Sequence, residues 1–69
     1  MTVEKSIDLT ATGANVEDAV EQAVRRAGLT LRGVSGFEVA TIEGVVVDGE
    51  ITYRVRVRVS FVVKEHVHE

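Results

Sequence analysis

No cysteine occurs anywhere in the 69-residue chain, which excludes a disulfide framework, a thiolate metal site and a cysteine nucleophile. An excess of positive charge is missing as well. Eight Lys and Arg stand against eleven Asp and Glu, a formal net charge of −3, which argues against a dedicated nucleic-acid binder. No apolar run exceeds three residues, as at Val45 to Val47, and Met1 to Thr10 holds no hydrophobic signal region. The expectation is a soluble, unexported, cytoplasmic protein that does not cross a membrane. A chain of this size forms one domain, residues 1–69, and buries only roughly 60% of its unfolded surface. With no staple available, extra stability has to come from a well-packed core or from association with copies of itself.

What the chain does contain is strong periodicity. From Ile51 to Val63 one parity reads Ile51, Tyr53, Val55, Val57, Val59, Phe61, Val63 and the other Thr52, Arg54, Arg56, Arg58, Ser60, Val62. A period of two predicts a long strand with one apolar and one mostly basic face. Val3, Ile7 and Leu9 alternate with polar neighbours as a first strand, with Lys5 the polar exception on the inward parity. That strand is broken near Thr12-Gly13. Asn15 is a good N-cap, Glu17 and Asp18 suit the first helical turn, and Val16, Ala19, Val20, Ala23, Val24, Ala27 and Leu31 follow helical spacing. Arg25, Arg26 and Arg32 suit the negative end of the helix dipole, and Gly28 or Gly33 ends the helix.

A second long strand is predicted from about Val34 to Val46, joined to the third through Asp48-Gly49, the strongest turn signal in the chain. A three-residue loop of Val47, Asp48 and Gly49 would set Phe37 opposite Val59 and Val39 opposite Val57, with Glu38 facing Arg58, Ala40 facing Arg56 and Ile42 facing Arg54. The fold class is thus α+β, in β-α-β-β order, with a three-stranded antiparallel sheet and one helix. A helix of about seventeen residues spans ~26 Å, whereas each hairpin strand exceeds ~40 Å. The overhanging ends must curl around the helix or be covered by neighbouring subunits, and a closed symmetric oligomer satisfies both this demand and the open edges.

Chemical motifs are sparse. His66 and His68, spaced i, i+2 beside Glu65 and Glu69, would present both imidazoles on one side of an extended tail, as a transition-metal pair requires, although a polar tail is the plainer reading. Arg54, Arg56 and Arg58 could bind phosphate-bearing ligands. Cross-strand or intersubunit pairing with Glu38, Glu43 and Glu50 is the competing reading and the favoured one. Asp8, Glu38, Glu43, Asp48 and Glu50 could offer oxygen ligands to a hard cation, but twelve-residue calcium-loop spacing is absent. Gly44 and Gly49 precede no helix and so form no phosphate loop. No Ser, His and acid set and no carboxylate pair in an apolar pocket emerges, so no enzyme is read here.

Taken together, the stretch Glu17-Asp18-Ala19-Val20-Glu21-Gln22-Ala23-Val24-Arg25-Arg26-Ala27, then Thr30-Leu31-Arg32, Phe37-Glu38-Val39 and Tyr53-Arg54-Val55 leading to Val59-Ser60-Phe61, resembles the dodecins over nearly the whole chain. The resemblance implies a hollow homododecamer that stores or sequesters flavin (FMN, FAD or riboflavin) without turning it over. In flavin-binding members a tryptophan stacks on each isoalloxazine ring and a glutamine hydrogen-bonds to its polar edge. The corresponding positions here are Gly36 and Arg54, and the chain has no tryptophan. Three readings follow: a remodelled pocket holding a flavin, a nucleotide-like cofactor or another flat anion against Arg54, a flavin-free dodecin of the calcium-binding kind, or an assembly with no small ligand.

Overall fold

The computed structural model describes residues 2–64, and the His66/His68 pair lies outside them. Strand β1 (Thr2–Gly13) is followed by helix α1 (Val16–Thr30) and then by strands β2 (Val34–Val47) and β3 (Glu50–Lys64). The sheet order is β1-β3-β2, so the arginine-bearing strand is central and antiparallel to both neighbours.

Helix α1 starts where the Asn15 side chain accepts a hydrogen bond from the backbone N–H of Asp18 at 2.8 Å, satisfying one donor that the first turn leaves free. It ends as the Leu31 N–H donates to the Ala27 carbonyl at 2.9 Å. Of the two glycines predicted as stops, Gly33 is the one that turns the chain, with φ of 75°, while Gly28 lies within the helix. A side chain at Gly33 would also meet the Val62 carbonyl oxygen at 2.8 Å. The expectation that arginines complement the helix dipole is corrected: the last turn holds no basic residue. Arg25 instead pairs with Glu21, one turn back, at 3.6 Å.

Ala19, Ala23 and Ala27 form a stripe of small side chains that lets the helix lie close on the sheet, against Val55, Val57 and Val59. These six residues are the buried core, rimmed by Ile7, Leu9, Ala11, Val16, Val20, Val24, Leu31 and Val34. A helix of 15 residues reaches ~22 Å, whereas the 15-residue β3 reaches ~50 Å. The hairpin therefore runs past the helix, leaving Ile42, Val46 and Ile51 of the helix-side face more than half exposed, and the chain is 62 Å long.

The hairpin register departs from expectation in one instructive way. Phe37 faces Val59, Glu38 faces Arg58 and Val39 faces Val57 as predicted. The connection, however, is a two-residue turn, with Asp48 at φ 52° and Gly49 at φ 78° and Val47 paired to Glu50. Positive φ at both central positions matches the right-handed twist of the strands. The two registers are reconciled by a bulge at Ala40, after which Thr41 faces Arg56, Ile42 faces Val55 and Glu43 faces Arg54. The predicted pairs of Ala40 with Arg56 and Ile42 with Arg54 are thus replaced. The physical reason is visible along β2, where the apolar positions change parity from Phe37 and Val39 to Ile42 and Val46. A bulge keeps both sets on the helix side.

Candidate functional site

The face of the sheet turned away from the helix carries the chemistry. Three successive rows cross it, each with an arginine of β3 at its centre. Asp8 and Glu38 flank Arg58, Thr10 and Thr41 flank Arg56, and Thr12 and Glu43 flank Arg54. Alternation of side chains along antiparallel strands in register puts all nine on one face.

In the first row Arg58 donates from Nε to Asp8 Oδ1 at 3.1 Å, and its Nη1 lies 3.8 Å from Glu38 Oε1. The guanidinium is held above its ordinary titration range, chiefly by the hydrogen bond to Asp8, then by the charges of Asp8 and Glu38. In the third row Arg54 Nη2 donates to Glu43 Oε2 at 3.3 Å. The favoured reading of the arginines, pairing across strands, is what Arg58 and Arg54 do with Glu38 and Glu43. Glu50 makes no such pair among the described residues, and Asp8 on β1 is a partner that sequence reasoning missed. The β1–β3 register that brings Asp8 there leaves no local signal.

Gly36 and Arg54, the two positions singled out for ligand binding, share this face but not one site. Gly36 pairs with Ser60, six residues along β3 from Arg54, a separation of ~20 Å. Around Gly36 the surface is open, and nothing lies within 4 Å of where a Cβ would stand. The five acids considered for a cation do not gather either. Asp8 and Glu38 converge on Arg58, Glu43 is taken by Arg54, Asp48 sits in the turn and Glu50 opens β3. Among the described residues no group of three or more His, Cys, Asp or Glu comes together. No helix of the described residues is long and apolar enough to cross a membrane.

Residues 3–64, with the β-α-β-β order and the central arginine strand in place, match the family model of the dodecins. The chain belongs to the dodecin family. Among solved structures, a Thermus thermophilus protein is 32% identical, with a TM-score of 0.88 over 96% of this chain and 100% of its own. A dodecin from Streptomyces coelicolor is 30% identical, with a TM-score of 0.86 over 94% of this chain and 96% of its own. A calcium dodecin from Mycobacterium tuberculosis, described as a calcium-chelating immunodominant antigen with a novel calcium-binding site, is also 30% identical. That match has a TM-score of 0.79 and covers 97% of this chain and 99% of that one. No curated protein matches this dodecin.

Proposed function

We propose that this dodecin is a non-catalytic, cytoplasmic binding or storage shell, a hollow homododecamer whose ligand sites are completed between subunits. The observation that carries the reading is the uncovered apolar end of the hairpin, where Ile42, Val46 and Ile51 share the helix-side face yet stay more than half exposed. In a family whose members close into shells, a second copy covers such a surface and removes its exposure to water. The ~20 Å between Gly36 and Arg54 in one chain fits the same scheme, since residues of different copies would line each pocket.

The residues here do not fit the stacked flavin of the family. Gly36 supplies open space in place of an aromatic platform, forfeiting stacking of about 0.5–1.5 kcal/mol beyond area burial. Arg54 brings a cation already engaged by Glu43. The pocket is therefore remodelled toward a different flat anion or left without a flavin. A second reading draws on the Mycobacterium tuberculosis relative, a calcium dodecin: acids from separate copies would gather a cation that no single chain can hold.

Native mass spectrometry of the purified protein, with visible absorbance on the same sample, tests the assignment. A homododecamer without yellow colour is the expected outcome. Flavin-sized adducts would overturn the remodelled pocket, and a mass far below twelve subunits would overturn the shell. Calcium-dependent melting of a colourless dodecamer would favour the second reading, because a ligand stabilises the state that binds it.

A further inference from the structure

Of the three arginines in the central strand, two are matched by carboxylates and one is not. Arg58 has Asp8 and Glu38, and Arg54 has Glu43. Arg56, between them, has no carboxylate within 4.0 Å among the described residues. Its neighbours in the two ladders are both threonines, Thr10 on β1 and Thr41 on β2. The placement of Thr41 depends on the bulge, because an unbroken register would have set the methyl group of Ala40 there instead. Bulges re-aim side chains, and this one puts a hydroxyl beside a guanidinium that has no carboxylate partner among the described residues. A cleft of about 270 Å³ opens at this point, lined by Thr10, Thr41, Glu43, Arg54 and Arg56.

We propose that this cleft binds a tetrahedral oxyanion, the phosphate group of a small phosphorylated molecule. The planar guanidinium of Arg56 offers two parallel N–H donors that match two oxygens of one phosphate. The hydroxyls of Thr10 and Thr41, one on each side, can donate to the remaining oxygens. Glu43 would repel an anion if it were alone, but its ion pair with Arg54 offsets that charge at the cleft wall. The cleft is open to water, so the affinity is modest and depends on salt. Arg54, one wall of this cleft, is also the position that corresponds to the flavin-edge glutamine, so the cleft adjoins that pocket, but Arg56, Thr10 and Thr41 of a single chain carry the proposal.

The test uses the full-length protein in its native assembly. Inorganic phosphate and pyrophosphate are titrated calorimetrically at constant ionic strength against chloride. Wild type, Arg56→Gln, Thr41→Val and Arg25→Gln are compared, the last removing the same charge from the helix. Saturable binding is expected in the wild type, about tenfold weaker in Arg56→Gln, weaker by a smaller factor in Thr41→Val, and unchanged in Arg25→Gln. Lack of saturable binding in the wild type overturns the site. Equal losses in Arg56→Gln and Arg25→Gln overturn it too, since they would mean a diffuse charge effect. Native mass spectra are recorded for each variant. A reduced subunit count for Arg56→Gln would make this arginine a contact between copies and would likewise overturn the proposal.

Discussion

Arg58 and Asp8 stand 50 positions apart in sequence and 3.1 Å apart in the folded chain. With Glu38 at 3.8 Å on the other side, the guanidinium ties all three strands together across one row. Both partners of Asp8–Arg58 are about half exposed, so the contribution is modest and screened by salt. Asp8→Asn is expected to lower the thermal midpoint more than Glu38→Gln, in the order of the two distances, and high salt should narrow both differences. The folded-state titration of Arg58 is raised, so its stabilisation is complete below arginine's ordinary range and fades only as pH rises through the folded value. The midpoint difference between wild type and Arg58→Gln should therefore show no loss on the guanidinium's account between neutral pH and the mildly alkaline range. A difference that collapsed there would contradict the assignment.

The core is thin and intolerant of volume change. Val57 is fully buried in the cluster that contains Ala23. Val57→Ala should cost about 1–3 kcal/mol by lost burial and cavity, and Ala23→Leu a similar amount by overpacking between helix and sheet. Chemical denaturation at fixed protein concentration measures both. A neutral Ala23→Leu would mean that the helix can lift from the sheet without penalty.

At the hairpin turn the two central residues make different demands. Gly49 has φ of 78°, and nothing lies within 4 Å of a Cβ built there, so the effect of Gly49→Ala is conformational. It should destabilise by about 1 kcal/mol, whereas Asp48→Asn, at φ 52°, should be tolerated. Comparison of the two variants in one unfolding series separates turn geometry from side-chain chemistry.

The exposed end of the hairpin is a test of the proposed shell. Ile42 is 57% and Val46 67% exposed in the single chain, so a charge there has little to disrupt within it. Ile42→Asp and Val46→Asp are expected to reduce the subunit count in native mass spectra while leaving far-UV circular dichroism unchanged. Full-size assemblies from both variants would remove this surface from the subunit contacts.

Nothing lies within 4 Å of a Cβ built at Gly36. Gly36→Trp is expected to fold normally yet not bind flavin tightly, because Arg54 remains. Tight binding of this single variant in a fluorescence-quenching titration would show that Arg54 is no obstacle.

The elements themselves were legible because their causes are local. Asn15 with Asp18 starts the helix, small apolar residues at helical spacing give it one buried stripe, and Asp48-Gly49 turns the hairpin. The pairing of Glu38 with Arg58 also followed from alternation. The bulge leaves a trace in the parity change between Val39 and Ile42, but a three-residue loop gives the same pairs at Phe37 and Val39 without a bulge and so masks it.

Residue order alone carries the inventory: three strands, one helix with its N-cap, the place of the hairpin turn, and an apolar face on each element. Tertiary structure decided the neighbours. It put β3 in the centre, brought Asp8 from the far end of the chain to Arg58, and left Arg56 between two threonines. Local preferences act over a few residues and can be read along the chain. Strand order and register instead follow from a global competition to bury the valines of β3 under the alanines of α1, and the polar rows on the opposite face follow from that choice.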